Sequence, residues 1–100
     1  MSKETVYGFS RKVLTAIIDA GKKHDVDLIV LFGSRARGDY QERSDIDLAV
    51  YGEHAELFGL DLEEQVPTLL KFDVVNMSKP VQEALQEAVQ CEGVVIYEKV

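Results

Sequence analysis

The segment from Asp27 to Phe32 constrains the fold more than any other: Leu28, Ile29, Val30 and Leu31 form an unbroken apolar run that stops at Gly33. So short and uniform a run reads as a buried strand, and a buried strand needs helices packed on its sheet. The flanking sequence offers them. From Thr5 to about Lys23, Val6, Phe9, Val13, Ile17 and Ala20 recur at steps of three and four, the pattern of an amphipathic helix. Residues 33 to 38 read as a turn into a short helix, polar residues 39–44 as a connection, and Asp45 to Val50 as a second strand. Residues 54 to 66 predict a helix with Leu57, Leu60, Leu62 and Val66 on its buried side, weakened by Gly59 and ended near Pro67. Leu70 to Asn76 predicts a third strand. Pro80 suits the first turn of a helix running to about Gln90, and Gly93 precedes a fourth strand, Val94 to Glu98. This order predicts an α/β fold, a sheet of about four strands packed with helices, with the strand order left open.

At 100 residues, with 46% apolar and 29% charged, the chain fits one compact domain over 1–100 and leaves no room for a second, substrate-binding one. Cys91, the single cysteine, cannot form an internal disulfide. No apolar run approaches the ~18 residues of a membrane span, so a cytoplasmic protein without membrane contact is expected. The net charge of −7 is uneven: residues 1–43 carry eight basic and six acidic groups, residues 44–100 three basic and twelve acidic. Such a chain repels a nucleic-acid backbone, so general nucleic-acid binding is not expected. Local arginines can still hold a small anion such as a triphosphate, and the carboxylates attract divalent cations.

Function-capable side chains concentrate in residues 33–50. Asp45 and Asp47 stand two apart in a stretch with strand character, so both point to one face while Ile46, Leu48 and Val50 point to the core. Two like charges held side by side repel each other, but paired Mg²⁺ ions turn that repulsion into a binding site. A solvated, frayed strand start is the plain alternative. Gly33 and Ser34 read as a tight turn after a strand, with Ser34 as a helix cap. The same turn presents backbone N–H groups and a hydroxyl to an anion, with Arg35 and Arg37 beside it.

Gly33-Ser34, then Ala36-Arg37-Gly38, then Ser44-Asp45-Ile46-Asp47-Leu48 resembles the signature of the polymerase-beta-like nucleotidyltransferase superfamily, in particular its minimal MNT branch. The likeness extends in length and element order to the closing Glu92-Gly93-Val94-Val95-Ile96-Tyr97. It implies a polymerase-beta-like nucleotidyltransferase fold and a third carboxylate, matched by Asp73 in Lys71-Phe72-Asp73-Val74-Val75. It further implies that Asp45, Asp47 and Asp73 are catalytic and hold two Mg²⁺ ions, with Mn²⁺ as a substitute. Gly33, Ser34 and Arg37 would bind the triphosphate of an NTP, with ATP expected, and Arg35 would contribute less. The activity implied is transfer of a nucleoside monophosphate, AMP from ATP, to a hydroxyl.

The minimal branch is paired with a helical HEPN-type partner, so the resemblance implies an antitoxin that adenylylates a tyrosine on a partner toxin. A small-molecule, aminoglycoside-type nucleotidyltransferase is an alternative if a homo-oligomer builds the acceptor pocket. A binding module that silences a partner by contact alone is another, though it has no need of three carboxylates. His24 and His54 read as solvated helix-end residues, and Cys91 as a buried small side chain or an idle thiol. Asp61, Glu63 and Glu64 read as a solvated helix face near its N-terminus, and Tyr40 as a residue that could touch a bound base.

Overall fold

The computed structural model describes residues 5–66 and 68–99. The chain runs through β1 (Thr5–Val6), β2 (Phe9–Ser10), α1 (Arg11–Lys23), β3 (Leu28–Phe32), α2 (Ser34–Arg37), β4 (Ile46–Tyr51), α3 (Ala55–Gln65), β5 (Phe72–Asn76), α4 (Glu83–Glu92) and β6 (Val94–Glu98). Four strands form a mixed sheet in the order β5-β4-β3-β6. β3 lies antiparallel to both neighbours, and β4 runs parallel to β5.

The apolar run of β3 is buried on both faces, as its composition requires. Ile29 and Leu31 join Ile46, Leu48 and Val50 on the face covered by Val13, Ile17 and Ala20 of α1 and Ala55, Phe58 and Leu62 of α3. Val30 and Phe32 join Ala49 on the other face, under Val89 of α4. The expected α/β fold with about four strands and packed helices is thus the one observed.

Three expectations about the elements change. Val6 and Phe9 fit the helical period but pair with each other across a tight turn, where Tyr7 and Gly8 take φ of 55° and 82°. Two consecutive positive φ values match the twist of a hairpin, which favours this turn over a helix. The helix begins at Arg11, where Ser10 Oγ accepts the N–H of Val13 at 3.3 Å. In α3 the buried side is Ala55, Phe58 and Leu62, while Leu57 and Leu60 stay 53% and 57% exposed. That helix carries apolar residues on two faces, and the sheet covers one. Gly59 faces β5, with Val74 at ordinary contact distance, 3.5 Å, from where a Cβ would stand. Pro67 lies outside the described residues, but Val66 before it is extended, with ψ of 122°, as a residue preceding proline should be. The last helix begins at Glu83, after an N-cap at Gln82, so Pro80 precedes it instead of sitting in its first turn.

His24 closes α1 as its C-cap, and its Nε2 lies 3.1 Å from Asp61 of α3. Both side chains are more than four-fifths buried, and Lys23 adds a second cation 3.6 Å from Asp61. His24 and Asp61 are therefore a link between helices, not solvated surface. His54 is exposed at the N-cap of α3, and Cys91 is an exposed free thiol. Among the described residues no helix is long and apolar enough to cross a membrane.

Candidate active site

Strand register builds the site. Phe32, the last residue of β3, is paired with Asp47 on β4, and Asp47 is in turn paired with Asp73 on β5. The turn after Phe32, Asp47 and Asp73 therefore form a row across one end of the sheet. Alternation along β4 sends Ile46, Leu48 and Val50 into the core and Asp47 to the opposite face. Asp45, one residue before the strand and in phase with Asp47, is exposed, as is Asp73.

Gly33 takes φ of 79° and ψ of −157°, a conformation essentially reserved for glycine. A Cβ at this position would also collide with the carboxylate of Asp47. Two separate demands thus fix glycine at 33. Its carbonyl accepts the N–H of Arg37 at 3.0 Å, so the N–H groups of residues 34–36 have no partner inside the short helix. Gly33 itself is the N-cap of α2, and no side chain caps it; Ser34 is half-buried as the first helical residue instead of serving as the cap.

The two arginines divide. Arg35 is 1% exposed and donates to the carbonyls of Tyr7 (2.9 Å), Glu42 (3.2 Å) and Ser44 (3.0 and 2.9 Å). Its guanidinium lies 5.0 Å from the ring centre of Tyr40 and 5.8 Å from that of Phe9. Arg35 is therefore a structural clamp between the hairpin and the loop leading to Asp45, and both it and Tyr40 are already engaged. No local pattern signals this, because all three acceptors belong to other segments. Arg37 is exposed and bridges Asp39 at 3.1 Å and Glu92 at 3.0 Å, two partners the sequence reading did not single out.

Burial raises Asp47 to a pKa of about 6, helped by the negative charges of Asp73 and Asp45 and by a hydrogen bond with Asp73, against the opposing pull of Arg37. Mg²⁺ and Mn²⁺ take oxygen ligands, and a cation facing these groups would reverse the electrostatic balance that holds a proton on Asp47. The donor set fits such a cation in kind and in charge. The three carboxylates do not yet close on one point, since among the described residues no three acidic, His or Cys side chains are grouped to hold an ion. Asp73 already hydrogen-bonds Asp47, so the exposed Asp45 is the carboxylate that would have to turn toward the other two.

The raised pKa predicts a pH-dependent penalty. Asp47 titrates at about 6 in the folded protein and at about 3.9 when unfolded. Between these values the folded state binds more protons, so stability falls as pH rises through this window, and the loss is complete above it. Asp47→Asn should therefore be more stable than the parent at pH 7.5 by about 1–2 kcal/mol, a figure discounted for partial exposure. Below pH 4 the advantage should vanish. Urea denaturation at both pH values checks this, and an equal gain at each would place its cause elsewhere.

The model of the family described as Polymerase beta, Nucleotidyltransferase matches residues 15–100. The chain belongs to this nucleotidyltransferase family. Over 47 residues it is 49% identical to a protein of Methanocaldococcus jannaschii named "Putative protein adenylyltransferase MJ0604". That match covers 47% of this chain and 45% of the relative, so it spans less than half the length of either. Among solved structures, one similar fold is the crystal structure of a toxin-antitoxin with AMP-PNP, at a TM-score of 0.69 and 22% identity, covering 86% of this chain and 73% of that one. Another is a mutant of the toxin-antitoxin MntA-HpeT, at a TM-score of 0.68 and 21% identity with the same coverage. At such identities the likeness is one of fold.

Proposed function

We propose that the chain transfers AMP from ATP to a hydroxyl, with a tyrosine of a HEPN-type toxin as acceptor, and thereby acts as the antitoxin of a pair. The observation that carries this reading is the row formed by the Gly33 turn, Asp47 and Asp73. It sets the N–H groups that follow Gly33 beside two carboxylates, which supports a phosphate seat next to a metal site. The name of the relative, "Putative protein adenylyltransferase MJ0604", supports AMP as the transferred group, and the two toxin-antitoxin neighbours support the kind of partner.

In this reading the N–H groups after Gly33 and the Ser34 hydroxyl hold the triphosphate. Arg37 exchanges Asp39 and Glu92 for phosphate oxygens. The acceptor oxygen bonds to the α-phosphorus, the bond from that phosphorus to the β-phosphate oxygen breaks, and pyrophosphate leaves. Asp73, at the sheet edge, takes the hydroxyl proton. Two Mg²⁺ ions, or Mn²⁺, bound by Asp45, Asp47 and Asp73 would neutralise phosphate charge and acidify the attacking hydroxyl. The chain's own part is positioning and charge compensation, as in other phosphoryl transfers.

Thermal unfolding tests the nucleotide and metal parts together. ATP with Mg²⁺, at about a hundred times its Kd, should add about 2.7 kcal/mol, a rise of roughly 10 °C or more for a domain this size. ATP in EDTA should give much less, and Ser34→Ala and Arg37→Ala should shrink the shift while leaving the unliganded melting temperature nearly unchanged. Equal shifts with and without EDTA would remove the metal from the proposal.

A further inference from the structure

β5 is an edge strand, with β4 on one side and no further strand among the described residues on the other. Its ladder to β4 includes Lys71 C=O accepting from Ile46 N–H at 2.9 Å and Met77 N–H donating to Val50 C=O at 2.8 Å. Pairing in a parallel ladder alternates residue by residue, so the N–H and C=O groups of Phe72 and Val74 point out of the sheet. Beside them, α3 leaves a groove of about 450 Å³ walled by Gly59, Leu60 and Glu63 on the helix and by Phe72, Asp73 and Val74 on the strand. Leu57, Leu60 and Leu69 stand exposed on or near this helix and strand, and the other large exposed apolar side chain among the described residues, Val95, is on the opposite edge strand, β6.

Asp73 lines the groove between Phe72 and Val74, with its carboxylate by alternation on the Asp47 side of the strand. A segment paired with β5 would therefore present alternate residues to the groove and to Asp73, and this gives the groove an occupant. If the triphosphate lies on the Gly33 side of Asp47, an in-line displacement brings the attacking oxygen from the opposite side, where β5 is. Resting on the nucleotidyl-transfer reading above, we infer that the acceptor is a polypeptide that lays an extended segment into the groove between α3 and β5, as a strand added to the backbone of Phe72 and Val74. Its hydroxyl-bearing residue stands beside Asp73, and a basic side chain faces Glu63. Backbone pairing supplies affinity in this mode, and alternate side chains supply selectivity. The charge argues for a basic segment: Glu63 has no ion-pair partner among the described residues, whereas Glu56 is paired with Lys79. A second copy of the chain fits less well, because pairing two β5 edges would bring like-charged Asp73 and Glu63 residues together.

The probe is a fluorescent peptide of alternating lysine and valine with one central tyrosine, titrated into the full chain and followed by anisotropy. Binding should slow amide hydrogen exchange at Phe72 and Val74. Leu60→Arg and, separately, Glu63→Lys should weaken it by at least about tenfold, and Val95→Arg on the far edge should leave it unchanged. Replacing the lysines of the peptide by glutamates should weaken it as strongly. The exposed Leu60 and Glu63 lie outside the nucleotide seat, so Mg²⁺–ATP should shift the melting of both variants as it does the parent's. Undetectable peptide binding alongside a normal ATP shift would overturn this inference and leave nucleotidyl transfer standing. Protection at β6, binding indifferent to Leu60→Arg and Glu63→Lys, or a self-association that buries Phe72 and Val74 would overturn it as well. Selective peptide binding by a chain that never transfers AMP would keep the groove and discard the activity.

Discussion

Replacing Asp45 and Asp47 together by asparagine should abolish nucleotidyl transfer while leaving the fold intact. Neither side chain belongs to the core, which β4 builds from Ile46, Leu48 and Val50. Both amides keep the shape of the acid they replace, and the Asp47 change removes a charge that burial and its neighbours already disfavour. On the proposed two-metal reading, what would be lost is the ability to hold cations against the triphosphate. Metals stabilise such transition states by several kcal/mol, and each ~1.4 kcal/mol is about tenfold in rate, so transfer should fall below detection instead of merely slowing. Pyrophosphate release with ATP and acceptor measures the loss, and circular dichroism reports the fold. Transfer within about tenfold of the parent would mean that these carboxylates do not carry the metals.

Arg35→Ala should be the most damaging single change to stability described above. It removes a 1%-exposed side chain and leaves the carbonyls of Tyr7, Glu42 and Ser44 without their donor. Lost charged hydrogen bonds, unsatisfied carbonyls and a cavity together cost about 3–5 kcal/mol, a large share of the ~5–15 kcal/mol that holds a typical domain together. A fall in melting temperature of roughly 15 °C or more follows. Arg35→Lys should recover only part of it, since one ammonium cannot span the positions that the planar fork reaches. Because the clamped loop leads into Asp45, transfer should drop too, although Arg35 touches no substrate. A loss under about 1 kcal/mol would show that the hairpin and loop hold themselves.

The sheet strands and the Asp45–Asp47 pair were legible because each rests on a local pattern, whereas Asp73 entered only through the family resemblance. β3 is an apolar run, β4 is an alternation that sets Asp47 opposite to Leu48, and Gly33 ends a strand. The N-terminal hairpin was not legible as such, because Val6, Phe9, Val13 and Ile17 satisfy the helical spacing whether or not the first two are helical. Gly8, two residues before the N-cap Ser10, was the signal that a turn intervenes. In α3 two apolar faces compete, Ala55-Phe58-Leu62 and Leu57-Leu60, and only the position of β5 decides between them. Arg35 and Arg37 look alike in sequence. One is buried by carbonyls brought from Tyr7, Glu42 and Ser44, and the other is left at the surface beside Glu92, a residue 55 positions away. Strand order, which places Asp73 at an edge, follows from tertiary packing and has no local signature.

Labelled ATP tests the central claim most directly. The chain, mixed with a HEPN-type toxin of the kind proposed above, is incubated with Mg²⁺ and ATP carrying label on either the α- or the γ-phosphorus, and that toxin is analysed by mass spectrometry and autoradiography. The account predicts α-label and the mass of AMP on a tyrosine of the partner, no γ-label, and neither with Asp45→Asn/Asp47→Asn. Label arriving only from the γ-phosphorus, or a partner that is silenced while it remains unmodified, would contradict it.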